Sequence, residues 1–197
     1  MPDLYEIFNN HGGYAYLQDL KASGVHTSTV RKAVENGLLE KLKPGLYRWI
    51  DKPMTSHQGF VEITLVVPKA VICLHSALAY YELTLTQPST IMAAIPRETK
   101  PPKKFYPPAD IFYFSEHLYV LGMNTVDAEA GQFKIYDREK TIIDCFRYRK
   151  KLGEDVAVEG IRNYLKGRRP NLNRLFNYAQ KSHMERIIKP YVEALAG

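Results

Sequence analysis

The chain has 197 residues, a formal net charge of +6 and the apolar content of a globular protein, so it has enough mass to bury at least one hydrophobic core. It contains no run of roughly twenty apolar residues, and its first twenty residues hold acids but no Lys or Arg; we therefore expect neither a membrane span nor a secretory signal and predict a cytoplasmic protein. Cys73 and Cys145 do not form a C-x-x-C pair, so we expect neither a zinc site nor a disulfide framework, but two small buried thiols. We also expect no cofactor.

Three short helices are predicted before residue 37. They are expected over residues 3–10, 17–23 and about 27–36, with an extended segment over residues 14–16. In the third helix, Val30, Ala33 and Val34 recur at the spacing of one buried face. Its N-cap is His26 or Thr27, and Thr27 is the better choice chemically because a hydroxyl accepts a hydrogen bond from an unpaired backbone N–H.

A tight hairpin is predicted directly after these helices. Gly37 ends the third helix, and Pro44-Gly45 occupies the two central positions of a type II turn. This turn folds residues 38–43 back onto residues 46–50. Three helices followed by such a hairpin are the elements of a winged helix-turn-helix.

The polar face of the third helix and the cationic hairpin together predict binding to double-stranded DNA. The helix would enter the major groove, and the hairpin would meet phosphates or the minor groove. The predicted DNA-binding residues are Thr27, Ser28, Thr29, Arg31 and Lys32 on the helix and Lys41, Lys43 and Arg48 on the hairpin. For Ser28, Arg31 and Lys32 the alternative is a solvated helix face without a partner.

The rest of the chain predicts a larger mixed domain. Its apolar run over residues 60–67 fits a helix or a strand equally well. Strands are expected over residues 71–74, 90–95, 110–114 and 132–136, and helices over residues 75–83, 138–151, 155–165, 172–181 and 183–195. The segment 97–108, rich in Pro and in cationic residues, is expected to be a surface loop that does not pack.

The predicted fold class is therefore α+β, with a winged helix-turn-helix followed by a mixed domain that has a small sheet and a C-terminal run of helices. The polar, Pro-containing break at residues 51–55 favours a boundary between a DNA-binding domain over residues 1–52 and a second domain over residues 53–197.

Positive charge is concentrated near the C-terminal end of this sequence. Residues 138–197 carry fourteen basic and seven acidic side chains, whereas residues 1–52 are nearly balanced. The densest cluster is a candidate second patch for an anionic partner and consists of Arg162, Lys166, Arg168, Arg169 and Arg174. A solvated helix-loop corner explains the same residues.

Two segments invite an enzymatic interpretation, and for both we prefer a structural one. Asp137 is placed to cap the following helix, and Lys140 can pair with Asp144 four residues on, which explains these charges without catalysis. Asp110 resembles part of a metal-dependent nuclease site, but Gln132 stands where such a site needs a second carboxylate. We therefore expect that the protein is not an enzyme.

The order of these motifs resembles the AbiEi family of antitoxins over nearly the whole chain. In the N-terminal part, the resemblance rests on Gly12-Gly13, Leu20, Gly24-Val25, Val30-Arg31-Lys32, Gly37-Leu38-Leu39 and Gly45-Leu46-Tyr47. In the C-terminal part, it rests on His75-Ser76-Ala77-Leu78 with Leu83-Thr84, followed by the segment from Asp137 to Asp144.

This resemblance implies a transcriptional autorepressor of a toxin–antitoxin system that acts in abortive infection, a form of phage defence. Such an antitoxin binds inverted repeats in the operator of its own operon, and it antagonises a nucleotidyltransferase toxin without stable direct binding. The alternative function is an ordinary winged-helix repressor whose C-terminal domain senses a ligand or dimerises. The sequence leaves two oligomeric states open, a monomer in solution and a dimer on DNA.

Overall fold

The computed structural model describes residues 3–51 and 55–196, and the chain separates into two compact units. The first unit comprises Met1–Pro68, Lys100–Pro108 and Asp127–Phe133, and the second comprises Lys69–Thr99, Ala109–Val126 and Lys134–Gly197. The first unit thus extends beyond the predicted boundary between residues 52 and 53. The boundary between a DNA-binding domain and a second domain at this position stays a prediction.

The first unit begins with three short helices and a small antiparallel sheet. These helices are α1 (Leu4–Asn10), α2 (Leu17–Ala22) and α3 (Thr27–Glu35), and the strands are β1 (Tyr14–Tyr16), β2 (Leu39–Lys43) and β3 (Leu46–Trp49). β3 lies between β1 and β2 and is antiparallel to both. The element bounds differ from the predicted ones by one residue at most, so the prediction of a winged helix-turn-helix is confirmed.

Two of the glycines with positive φ in this module, Gly24 and Gly45, allow sharp changes of chain direction. Gly24, at φ 81°, separates α2 from α3, and the N–H of the next residue, Val25, donates to the Leu20 carbonyl at 2.9 Å. Gly45, also at φ 81°, supplies the left-handed position of the hairpin turn. The buried core beneath these turns consists of Phe8, Ala15, Leu20, Val25, Val30, Ala33 and Leu39.

The ambiguous apolar run is part of a helix, α4 (Gln58–Val66), which also belongs to the first unit. Val61, Ile63 and Val66 are buried on it, together with the carboxylate side chain of Glu62. An apolar run that is covered on several sides carries no clear period, which is why the pattern alone did not distinguish a helix from a strand.

The remaining elements form a mixed sheet and a run of helices. The strands are β4 (Val71–Ile72), β5 (Ile91–Pro96), β6 (Ala109–Phe114), β7 (Met123–Ala128) and β8 (Gly131–Tyr136), in the order β6-β5-β4-β8-β7. β4 is antiparallel to β5 and parallel to β8, and β5 is parallel to β6. The helices are α5 (Leu74–Tyr80), α6 (Glu116–Val120), α7 (Arg138–Arg147), α8 (Arg149–Leu152), α9 (Glu154–Lys166), α10 (Leu172–Lys181) and α11 (Glu185–Ala196).

In this part of the chain, the sequence prediction treated one interrupted helix as continuous and missed two elements. The predicted helix over residues 138–151 is interrupted at Tyr148, which separates α7 from α8. The sequence pattern missed α6 and β7, which are short or half-exposed and have no strong apolar period.

Within residues 3–51 and 55–196, no helix combines the length and apolarity needed to cross a lipid bilayer.

Candidate nucleic-acid interface

The outward face of α3 is open to solvent. Val30 and Ala33 are buried beneath the helix, whereas Thr27, Ser28, Arg31, Lys32 and Glu35 are exposed and Thr29 is half-buried. Each of the five residues predicted to contact DNA from this helix is therefore at least partly accessible. The face is polar, and its hydroxyls and long cations are groups that contact phosphates in protein–DNA complexes.

The start of α3 corrects one detail of the sequence prediction. The N-cap is His26, and the favoured alternative, Thr27, is instead the first residue of the helix. His26 makes no side-chain capping hydrogen bond; its backbone carbonyl accepts the Thr29 N–H at 3.0 Å. The Thr27 hydroxyl is therefore not used as the cap of α3, although side-chain capping chemistry favoured it.

Lys43, at the end of β2, is occupied by contacts within the first unit. Its Nζ donates to the carbonyls of Leu65 and Val66, at 2.8 and 3.0 Å, and so binds the C-terminal end of α4. A cation at this end of a helix is favoured by the helix dipole and satisfies carbonyls that have no partner inside the helix. Burial lowers the pKa of Lys43. Contact between Lys43 and DNA stays a prediction, and it would compete with these bonds.

Arg48, on β3, is also held by internal partners. Its Nη1 lies 2.6 Å from Glu62 Oε1, its Nη2 pairs with Glu40, and its side chain is only 15% exposed. Burial disfavours the charged guanidinium, but the charges of Glu62 and Glu40 and their hydrogen bonds raise the pKa of Arg48 overall. The ring of Tyr106 lies against the same guanidinium, 5.7 Å from its central carbon. Arg48 therefore fastens the hairpin to α4, and its contact with DNA stays a prediction.

Lys41 is the predicted hairpin cation that points to solvent. It is exposed on β2, whereas Lys43 and Arg48 are each only partly accessible. The structure thus separates the predicted hairpin residues by role, because two of them connect elements of the first unit and one faces outward.

The sequence prediction missed a buried polar network that supports the hairpin. Glu62 Oε1 accepts hydrogen bonds from the Tyr14 hydroxyl at 3.0 Å and from Gln58 Nε2 at 2.9 Å, in addition to its pair with Arg48. Burial and the neighbouring Glu62 carboxylate raise the pKa of Tyr14. The sequence did contain a signal for this network, because Glu62 is a single acid inside the apolar run over residues 60–67. A carboxylate that is buried in such a run requires hydrogen-bonding or charged partners.

The predicted second patch lies on α9, the segment after it and α10. All five of its members are exposed: Arg162, Lys166, Arg168, Arg169 and Arg174. Nη1 of Arg174 is 3.9 Å from Asp137 Oδ2 and from Glu139 Oε2, so part of its charge is balanced within the protein. Contact of this patch with an anionic partner stays a prediction.

The acids and the lysine at the start of α7 have structural partners. Asp137 Oδ1 accepts the Lys140 N–H at 2.8 Å, which confirms Asp137 as the N-cap. Lys140 Nζ pairs with Asp144, and both side chains are fully buried. Burial lowers the pKa of Lys140 and raises the pKa of Asp144, so each is shifted toward its neutral form in spite of the pairing.

The described residues give no support to a metal-dependent nuclease. Among them, no three His, Cys, Asp or Glu side chains form a group that could hold a metal ion. Asp110 instead accepts a hydrogen bond from the Thr90 hydroxyl at 2.8 Å.

Both cysteines are free and buried, as the sequence predicted. Burial raises the pKa of the Cys73 and Cys145 thiols well above the usual value, which keeps them protonated and unreactive at neutral pH.

The module is a winged helix-turn-helix, formed by the three helices and the hairpin, with an open face on α3. Its sequence is similar to that of a known protein family. Residues 2–49 match the AbiEi antitoxins, a family of transcriptional regulators. The AbiEi-type module, as we call residues 2–49, contains all eight residues predicted to contact DNA. No curated protein matches the chain. Because the match ends before α4, the resemblance over residues 75–84 and 137–144 stays a prediction.

Proposed function

We propose that this protein is a sequence-specific DNA-binding antitoxin of the cytoplasm, which represses its own operon by binding inverted repeats in the operator. We propose further that it antagonises a nucleotidyltransferase toxin without forming a stable complex with it. The match of the AbiEi-type module to a family of transcriptional regulators supports the first part of this proposal.

The observation that carries the proposal is the accessibility of α3. Its apolar side is buried in the module, while its hydroxyl and cationic side chains face solvent. A solvated helix face shows the same exposure, but here the face lies in a module that matches regulators of transcription. In winged helix-turn-helix proteins this helix is the element that enters the major groove.

The proposed contacts divide between base recognition and backbone binding. Arg31 is the candidate for a bidentate contact with guanine, since its planar guanidinium matches the two acceptors on that base. Lys32 and Lys41 are assigned to phosphates, which fix the position of the protein but carry no sequence information. The hydroxyls of Thr27, Ser28 and Thr29 are assigned to phosphates or base edges at the start of the helix.

The DNA-binding part is tested with the duplex upstream of the protein's own operon and a scrambled duplex of equal length. Arg31→Ala should weaken operator binding by about 1–3 kcal/mol, or roughly 5- to 150-fold, and relax specificity at one base pair. Arg186→Ala, which removes an exposed cation of α11, is the matched control and should leave the specificity unchanged. Equal affinity of the unaltered protein for both duplexes would rule out sequence-specific binding.

The antitoxin part is tested by co-expression with the toxin encoded in the same operon. Rescue of growth supports the proposal. No rescue by a protein that still binds the operator supports the ordinary repressor instead. Co-purification of the two proteins as a stable complex would contradict antagonism without direct binding.

We extend the proposal to the second patch, whose exposed arginines are suited to phosphate groups. If its partner is operator DNA, Arg168→Ala/Arg169→Ala should remove about two phosphate contacts and so make the affinity for the operator less dependent on salt. An unchanged salt dependence, together with full antitoxin activity, would identify the patch as a solvated surface.

A further inference from the structure

The segment Lys100–Pro108 packs in the first unit, although the sequence predicted a surface loop that does not pack. The Tyr106 N–H donates to the Leu42 carbonyl of β2 at 2.8 Å. The Tyr106 ring lies against the guanidinium of Arg48 on β3. Two different contacts therefore fasten this segment to the hairpin of the AbiEi-type module, from a position more than fifty residues away in the chain.

The contact with Leu42 uses the free edge of the small sheet. β2 is an edge strand because β3 lies between it and β1. The pairing of β2 with β3 shifts between Lys41 and Lys43, which leaves Leu42 outside the regular register. Unpaired backbone groups at a sheet edge need partners or a cover. Tyr106 supplies such a partner at the irregular position.

This attachment brings two exposed cations close to the hairpin. Lys103 and Lys104 are exposed and lie three and two residues before Tyr106. At 3.8 Å between successive Cα atoms, the Lys103 and Lys104 backbone is within roughly 20 Å of Lys41. A duplex carries one phosphate charge for about every 1.7 Å of its axis, so this distance spans several phosphates.

The hairpin by itself offers little free positive charge to DNA. Lys43 is bound to α4, and Arg48 is neutralised by Glu40 and Glu62. Within residues 39–49, all of which the structure describes, Lys41 is the exposed cation. A wing that contacts phosphates through one cation binds weakly, whereas additional cations beside it increase both affinity and salt dependence.

We propose that Lys103 and Lys104 form a composite wing with Lys41 and bind the phosphate backbone of the operator. This inference rests on the proposed DNA-binding function and adds binding residues outside the AbiEi-type module. The Tyr106 contacts with Leu42 and Arg48 hold the composite wing together. Its lysines bind the duplex electrostatically, and sequence recognition remains with α3.

The first test compares Lys103→Ala/Lys104→Ala with the control Lys150→Ala/Lys181→Ala, which removes two exposed lysines elsewhere. Operator affinity is measured from 50 to 200 mM salt. Loss of two phosphate contacts should make the slope of log K against log salt shallower by about 1.8. The factor by which affinity falls between 50 and 200 mM salt should then be roughly 12-fold smaller than for the unaltered protein. The ratio of operator to scrambled affinity should stay unchanged, because phosphate contacts carry no sequence information.

The outcomes of this test are distinct. An unchanged slope and affinity of Lys103→Ala/Lys104→Ala, while the unaltered protein binds its operator, overturn the composite wing and leave the proposed function intact. An equal decrease in the control pair also overturns it, since the effect is then one of net charge alone. Failure of the unaltered protein to bind any duplex overturns the proposed function and the composite wing with it.

A second test locates the segment on DNA. Both natural thiols are buried, so a chelated iron reagent can be attached selectively to Lys104→Cys, with Lys150→Cys as the control. Bound to the operator, labelled Lys104→Cys should cut the backbone at one flank of the site contacted by α3. No cutting, or the same pattern as labelled Lys150→Cys, overturns the composite wing.

Discussion

Removing one partner of the buried pair Lys140–Asp144 should destabilise the protein by about 3 kcal/mol. Both side chains are fully buried, and breaking such a pair leaves an uncompensated charge at a cost of about 3–5 kcal/mol. For Lys140→Met the lower end applies, because Arg147 Nε remains 3.9 Å from Asp144 Oδ1. Methionine also keeps apolar contact with the rings of Phe114 and Tyr136, which lie 4.8 and 4.5 Å from the ammonium group.

The double variant Lys140→Met/Asp144→Leu separates the pair from its members. Replacing both charges with apolar side chains of similar size removes the cost of burying them, so its stability should lie within about 1 kcal/mol of the unaltered protein or above it. Urea unfolding followed by far-ultraviolet circular dichroism measures Lys140→Met, Asp144→Leu and the double variant. For a chain of this size, a loss of 3 kcal/mol moves the midpoint down by about 1 M urea.

The exposed pair Lys189–Glu193 is the matched control, since it has the same spacing on a helix. Its side chains are 60% and 65% exposed and 3.9 Å apart, so Lys189→Met should cost at most about 0.5 kcal/mol. If the losses of Lys140→Met and Asp144→Leu simply add in the double variant, the two charges do not act as a unit and the reasoning is refuted. Loss of operator binding by a stable double variant would instead assign these residues a role in function.

Gly45→Ala should destabilise the hairpin by about 1–2 kcal/mol, because a φ of 81° is strained for any residue with a Cβ. The fluorescence of Trp49, the chain's one tryptophan, reports the unfolding transition. An unchanged unfolding midpoint would contradict the turn assignment. Glu62→Gln should cost about 2 kcal/mol in the same assay, because it removes the charge that faces Arg48, and a loss as small as that of a surface substitution would refute this role. Burial, and then the charge and hydrogen bond of Asp137, raise the pKa of Tyr178 to about 12, so the stabilising contribution of Tyr178 is complete below pH 10 and is lost as the pH rises toward 12. Asp137→Asn should lower this pKa in an ultraviolet titration, in which Tyr178→Phe assigns the signal. An unchanged titration curve would refute the coupling between the two side chains.

The sequence by itself determined the local architecture of the DNA-binding module. Val30 and Ala33 recur at helical spacing and are buried, and Pro44-Gly45 turns the chain as its backbone preferences require. Asp137 is the N-cap that its chemistry predicted. These features depend on neighbours within a few residues, and the pattern of side chains along the chain contains that information.

The tertiary structure decided what the charged side chains are used for. Lys43 and Arg48 look like free cations in the sequence, but partners on α4, which begins fifteen residues after Lys43, engage both of them. Tyr106 is joined to β2 by a backbone hydrogen bond, which no side-chain pattern predicts. Whether a charged side chain forms an internal pair or faces solvent depends on which residues, distant in the sequence, come close to it when the chain folds. The periodicity of the sequence contains no information about those distances in space.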